Sequence, residues 1–554
     1  MLAPGSSGWG SVEEELPFLT AALSWLNTPV ADEADPNAPD KNKNYWSAFG
    51  EWYFVGYGEG CAPLEAWSAK NPIFVIAQVY LNGVSAGEAY LSEVGSQVYA
   101  VGTNGYDITE DVKSRLSARS DQMITNQDIP VPTWFVNYDA ADHSLQYWKT
   151  ANDCSPSGTQ NADYGTVYVQ AGDSDAWQTQ YAGPISKVAV DSRQSLSGRE
   201  IHDFLTCYTR YDNTSAYGNA LMLRGDYTDV IVNAHKSPDR YAEQKVTMPD
   251  GATATMICTI VDIEGEPREI LFYIPENASE LQPDGAPVIT VWAGGSQTNI
   301  IFFDSTCWWE TANQNGIALI FTNEAYNTSV AVTPADVDAC YHAMLDLLEG
   351  WNDSGKFQFD LSRIYSTGQS MGSMESQQFA QETPDYYAAV ASTSFYQDYP
   401  DAHSDKPIPT YLINGEGNGK DDTGTPYDDR WNRTDDWAQY FLRVNGFVYT
   451  PAVYAADGTV TTFGVPVSEP VFTVTGPYDR FETYTWINGQ DIPLVQYTNS
   501  LYRPHNCLTS EIPMLWDFLE HYRCERDEDG AVTARYYSAS AFERDDQVLI
   551  QFGA

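Results

Sequence analysis

Arg363-Ile364-Tyr365-Ser366-Thr367-Gly368-Gln369-Ser370-Met371-Gly372 joins a β-branched, aromatic run to a helix-forming segment with no spacer between them. The residues up to Thr367 have strand chemistry, and those from about 373 to 381 continue as a helix. Between them stands Gly-x-Ser-x-Gly. This is the pattern of a strand–turn–helix elbow, so sharp that side chains two residues either side of the serine would collide, hence Gly368 and Gly372. Such a turn lifts the serine hydroxyl above the sheet and aims the helix N-terminus at whatever the hydroxyl attacks. Ser370 is therefore the candidate nucleophile, and an ordinary Gly/Ser turn is the competing reading.

Upstream of the elbow, strands are expected at 255–261, 269–273, 288–291 and 317–321, alternating with helices. Thr333-Pro334-Ala335-Asp336 is a helix start, with Thr as N-cap, Pro at the first helical position and an early acid. Val337, Tyr341, Met344, Leu348 and Trp351 then share one face at helical spacing. Strand–helix alternation implies an α/β domain with a mostly parallel sheet covered on both faces, over residues 246–554. Residues 1–245 read as a β-rich α+β accessory domain. An amphipathic segment from Val12 to Leu26 and an acidic, Pro-rich loop from Ala31 to Lys43 precede a strand at 73–81, which Asn82-Gly83 should close as a hairpin turn. Further short strands are expected at 133–136 and 166–169. This half shows no repeat and no chemical motif.

The 554 residues carry 29 Lys+Arg against 76 Asp+Glu, a formal charge of −47. The length exceeds what one core sustains, so two domains are expected. With 43% hydrophobic and 14% aromatic residues, extensive disorder is excluded. So strong a negative charge argues against nucleic acid and anionic membranes as partners. No window approaches the ~18 apolar residues of a membrane span. The start, Met1-Leu2-Ala3-Pro4-Gly5-Ser6, lacks the basic and apolar regions of a signal peptide, and the first basic residue is Lys41. Tyr- and Trp-rich, Lys-poor composition points to a secreted or cell-surface protein whose leader is absent, with a cytoplasmic protein as the competing reading. Eight cysteines are scattered with no CxxC spacing, which gives zinc and thioredoxin-type readings little support. Cys507 and Cys524 flank a helix and should not bridge each other. Cys258 and Cys340 read as small buried hydrophobes.

A serine on such an elbow takes its acid and then its histidine from later in the chain. His143, His202, His235 and His342 precede Ser370, and His403 follows it too closely. His521 falls in a helical run. That leaves His505, in a loop after the strand 494–498, as the general base. The acid should follow the strand 410–413, where Glu416, Asp421 and Asp422 compete with the reading of a plain acidic loop. Met371 and Gly295 are the expected oxyanion donors through their backbone N–H groups, Gly295 lying in the glycine turn after the strand 288–291.

The run Asp360 to Gly372 resembles the elbow of the α/β-hydrolase esterase family of polyhydroxybutyrate depolymerases and feruloyl esterases. Gly294-Gly295-Ser296-Gln297-Thr298, Trp309, Asn315-Gly316-Ile317, Pro504-His505-Asn506 and Leu515-Trp516-Asp517-Phe518-Leu519 are similar to that family's flanking segments, together covering roughly residues 265 to 524. The family carries His-Gly where this chain has Ala293-Gly294, and its acid position lands on Asn418, so Glu416 or Asp422 would take the acid's part. The resemblance implies a serine carboxylic-ester hydrolase acting through an acyl-enzyme on small or oligomeric hydroxyalkanoate or hydroxycinnamate-type esters. It implies no metal and no organic cofactor. Trp292, Trp308 and Trp309 could stack on such a substrate or belong to the core. Two other readings compete: a serine peptidase of prolyl-oligopeptidase type, which would need a propeller in the N-terminal half, and a non-catalytic surface or carbohydrate-binding protein with a degenerate triad.

Overall fold

The computed structural model of the chain describes residues 8–27, 52–97, 125–138, 143–171, 186–210, 221–223, 230–263, 265–294, 299–324, 334–396, 403–415, 428–449, 471–475, 481–500, 507 and 511–553. They fall into two compact units, the first drawn from residues 1–225 and the second from residues after 225.

In the first unit, β1 (Trp52–Tyr57), β2 (Val75–Leu81), β3 (Thr133–Val136), β4 (Thr159–Asn161), β5 (Gly165–Val169) and β6 (Lys187–Asp191) form a sheet in the order β1-β2-β3-β6-β5-β4. The first four in that order run parallel, and β5 and β4 complete one edge antiparallel. Two further strands, β7 (Tyr208–Arg210) and β8 (Leu221–Leu223), pair only with each other. Every residue of β2 and β3 is buried, as a parallel sheet covered on both faces requires. Val75, Tyr80, Phe135 and Val188 share one core with Trp67 and Trp148 of the helices Cys61–Lys70 and His143–Ala151. Ile76, Val79, Trp134 and Val136 share another with Phe204 and Leu205 of the helix Gly198–Leu205.

This unit is thus layered α/β, not the β-rich α+β domain expected. Its helices are short, and Cys61–Lys70 is buried nearly all round, so no 3.6-residue stripe marks it in the sequence. Asn82 does take a left-handed φ of 50°, but the chain runs on to the helix Glu88–Gly95 and forms no hairpin. Parallel neighbours need a crossover, which a two-residue turn cannot supply. Among the described residues the unit holds one six-stranded and one two-stranded sheet, with none of the four-stranded blades of a propeller.

The second unit is built on eleven strands: β9 (Gln244–Thr247), β10 (Thr253–Ile263), β11 (Glu266–Pro275), β12 (Ala286–Trp292), β13 (Ala318–Glu324), β14 (Phe359–Gly368), β15 (Ala389–Thr393), β16 (Thr410–Gly415), β17 (Val471–Thr475), β18 (Phe481–Ile487) and β19 (Pro493–Ser500). Their order is β17-β18-β19-β16-β15-β14-β12-β13-β11-β10-β9. The six strands from β19 to β13 are parallel, flanked by antiparallel strands on both sides. The expected α/β architecture is present, but the sheet is mixed where a mostly parallel one was expected, with five parallel pairings at its middle and five antiparallel ones toward its edges. The helix Pro334–Ser354 lays Tyr341, Met344 and Leu348 into the core as their spacing predicts. After β12 the chain moves outward to β13, then returns to place β14 on the other side of β12. That reversal is a topological switch point, and α/β sheets bind ligands beyond the carboxyl ends of the strands at such points.

A three-stranded sheet of β20 (Tyr522–Arg526), β21 (Val532–Tyr537) and β22 (Val548–Leu549) buttresses the segment entering β15. Buried Arg535 donates to the carbonyls of Pro384, Tyr387 and Ala388 at 2.5–2.7 Å. Arg526 donates to those of Leu361, Asp385 and Tyr386. No disulfide joins any two of the eight cysteines. Among the described residues no helix is long and apolar enough to cross a membrane.

Candidate active site

One row of residues crosses four parallel strands at their carboxyl ends: Gln369, Thr393, Ile413 and Thr498 pair laterally across β14, β15, β16 and β19. Ser370 lies one residue beyond that row, between β14 and the helix Met371–Glu382. Its φ of 55° and ψ of −114° fall in a region L-residues rarely occupy. Holding it there costs about 1–3 kcal/mol, so the surroundings must over-determine it. They do. Ser370 N–H donates to Thr393 O at 3.2 Å, and Gln369 N–H to Trp292 O at 3.3 Å. Gly372 N–H donates to Gln369 O at 2.9 Å, closing the turn.

The two glycines are sterically required. A Cβ on Gly368 would sit 2.3 Å from Gly372 O, and one on Gly372 would sit 2.0 Å from Trp292 O and 2.7 Å from Ala293 O. Real Cβ contacts are well beyond 3 Å, and the obstacles are backbone atoms that cannot rotate away. The same distances place the end of β12, Trp292-Ala293, directly against the elbow.

Polar side chains anchor the elbow helix on the sheet. Ser376 Oγ accepts from Ser366 Oγ on β14 at 3.0 Å. Ser373 Oγ lies 2.6 Å from Phe395 O and 2.8 Å from Ser392 Oγ. Gln377 donates to Ser392 Oγ at 2.6 Å and accepts from the Trp437 indole at 3.3 Å. These groups are buried, and a fully satisfied buried network fixes position more rigidly than apolar contact alone.

Two carboxylates not singled out in the sequence lie in this region. Glu511, at the start of the helix Glu511–Leu519, is wholly buried and accepts from Thr393 Oγ1 at 3.0 Å, the residue whose carbonyl holds the Ser370 amide. Only tertiary contact could reveal it, since it lies far from the elbow in sequence. Glu375, on the second turn of the elbow helix, is pushed up to about 8 by burial.

Of the expected site residues, Ser370 and Met371 are brought to the turn, with Met371 opening the helix whose first N–H groups have no intrahelical acceptor. Gly295, Glu416, Asn418, Asp421, Asp422 and His505 lie outside the described residues. The strands that lead to them are described, and β12, β16 and β19 all end at the same rim. Trp292, Trp308 and Trp309 are core residues, each at most 2% exposed, so stacking on a substrate is not their role. His521, expected within a helical run, instead follows the helix Glu511–Leu519, and its Nδ1 is 2.7 Å from Ser538 O.

No protein-family model matches the chain, and no curated protein matches it. Solved structures do. It is similar to the acetyl xylan esterase from Aspergillus awamori, at 14% identity over 48% of this chain and 95% of that one, with a TM-score of 0.31. It is similar to the S-formylglutathione hydrolase from Agrobacterium tumefaciens, at 10% identity over 50% and 97% of the two chains, TM-score 0.31. A third is the hyperthermophilic esterase from the archeon Pyrobaculum calidifontis, at 13% identity over 41% and 78%, TM-score 0.27. The likeness is remote.

Proposed function

We propose that the chain is a serine carboxylic-ester hydrolase with Ser370 as nucleophile. The observation that carries this reading is the conformation of Ser370: a left-handed φ between two glycines that admit no side chain, at the switch point of a parallel sheet. A strained backbone held by contacts to the two neighbouring strands is a feature of sites where a side chain must be presented in one direction.

In the proposed reaction Ser370 Oγ attacks the ester carbonyl while His505 takes the hydroxyl proton. The Met371 and Gly295 amides hold the oxyanion, and His505 returns the proton to the leaving alcohol. Water, deprotonated by His505, then attacks the acyl-enzyme, and the acid leaves with Ser370 restored. Glu416 or Asp422 orients His505 and stabilises its imidazolium form. The spans are adequate. Three strand spacings separate β14 from β19, ~14 Å. His505 lies seven residues past Thr498, a reach of ~23 Å in an extended chain.

The resemblance noted in the sequence favours hydroxyalkanoate or hydroxycinnamate-type esters, with residues 246–554 as the catalytic domain and 1–245 as an accessory one. The test compares wild type with Ser370→Ala on p-nitrophenyl acetate, with fluorophosphonate labelling followed by peptide mass analysis. Ester turnover lost in the variant, and the label on Ser370, are expected. Equal background rates in both, or a label elsewhere, would remove the assignment. A feruloyl ester and a peptide amide of similar size then separate an esterase from a peptidase.

A further inference from the structure

Four strands away from β14, at roughly 19 Å by ordinary strand spacing, the β10–β11 hairpin carries a second cluster of reactive side chains. Cys258 on β10 pairs laterally with Leu271, and Glu269 on β11 with Ile260. Cys258 and Glu269 are thus diagonal neighbours on one face of the hairpin, close enough for their side chains to meet. His235, the last residue of the helix Val230–His235, reaches onto the same place. Its Nε2 is 2.5 Å from Glu269 Oε1, and one donor atom from each of the three residues lies within 4.8 Å of the others. All three are buried: 4%, 1% and 3% exposed for His235, Cys258 and Glu269.

We propose that His235, Cys258 and Glu269 form a structural zinc site. Sulfur, nitrogen and oxygen donors together match the borderline-soft character of Zn²⁺. Tetrahedral zinc with bonds of ~2.0–2.3 Å spaces its donors roughly 3.3–3.8 Å apart. The His–Glu pair stands somewhat inside that spacing, and the sulfur needs a shift on the order of 1 Å. Charge also fits: a dication with one thiolate and one carboxylate is neutral, the condition a site this deeply buried has to meet. The two oxygens of one carboxylate lie too close together to fill two corners of a tetrahedron, so Glu269 counts as one donor and a water molecule would complete the coordination. Binding displaces the Cys258 thiol proton to solvent, so affinity rises with pH. The ion would tie a short helix to the hairpin that carries the sheet's antiparallel edge. A helix of six residues has little stability of its own, which gives the clamp its purpose.

The proposal stands independently of the Ser370 chemistry, and its test reads metal, not activity. The full chain, purified without metal-affinity resin and stripped with chelator, is titrated with ZnCl₂ and CoCl₂. One equivalent of either per chain, a thiolate-to-cobalt charge-transfer band and a rise in Tm with zinc are expected. Cys258→Ser and Glu269→Gln should each weaken zinc binding by a factor of 100 or more, the cobalt band vanishing in the first. Should either variant fail to fold, the wild-type cobalt spectrum decides alone. Absence of the band, less than a tenth of an equivalent of zinc retained, or variants that bind zinc like wild type would each overturn the site.

Discussion

Gly372→Ala separates steric necessity at the elbow from helix propensity, because the two predict opposite signs. Gly372 is the second residue of the helix Met371–Glu382. On propensity alone, alanine would stabilise that helix by up to ~1 kcal/mol. The added Cβ, however, would lie 2.0 Å from Trp292 O, 2.4 Å from Trp292 C and 2.7 Å from Ala293 O. Ordinary contact begins at 3.4 Å, so the helix and the end of β12 must part by about 1.4 Å. Overpacking against mobile side chains costs ~1–3 kcal/mol, and backbone obstacles put this case at the upper end. Displacement matters more for activity than for folding, since ~1 Å at a nucleophile costs ~100-fold in rate. The expected outcome is a loss of ~3 kcal/mol in urea unfolding and at least ~100-fold in kcat/KM for p-nitrophenyl acetate. Gly350→Ala is the control: it lies within the helix Pro334–Ser354, nothing stands within 4 Å of its Cβ, and it should stabilise by ~0.5–1 kcal/mol. If Gly372→Ala retained activity within a few-fold and matched the control in stability, the steric account of the elbow would be wrong.

Two further outcomes follow from buried charges. Burial lifts Glu375 from 4.5 to about 8, so the folded state holds its proton where the unfolded chain has released it. Stability should therefore fall as pH rises from about 4.5 to about 8 and stay lower above that. Glu375→Gln should match wild type near pH 4 and exceed it by on the order of 2–4 kcal/mol at pH 9 in urea melts, and an unchanged difference across that range would refute this. Arg535 is wholly buried, desolvation brings it down to about 10, and it serves three carbonyls ahead of β15. Arg535→Met leaves those carbonyls without their donor and should cost ~3–5 kcal/mol in the urea midpoint. A loss below 1 kcal/mol would show that water replaces the guanidinium.

How far the fold was legible differs between the two halves. In the second, strands such as 288–291 and 410–413 are short, apolar and bounded by glycine or polar turns, and the structure extends them by three and two residues. In the first, the same kind of strand was legible at 133–136, but its parallel pairing was not, because nothing local in Thr133-Trp134-Phe135-Val136 states which neighbour it will take. The crossover helix Cys61–Lys70 is hidden for a related reason: burial on all sides erases the stripe by which helices are recognised.

At the elbow the pattern was legible although only part of its constraint is local. A Cβ on Gly368 would meet Gly372 O four residues on, a constraint the spacing records, whereas a Cβ on Gly372 would meet Trp292 and Ala293 at the end of β12. What the amino-acid sequence could not state is which distant groups lie against that turn. Trp292 O meets Gly372, Glu511 meets Thr393, and His235 meets Cys258 and Glu269 only because β-pairing and crossovers bring separate segments to one place. Such contacts depend on register and on the order of strands in the sheet. Those are settled by how the whole apolar surface is buried at once, and no local stretch of chain encodes them.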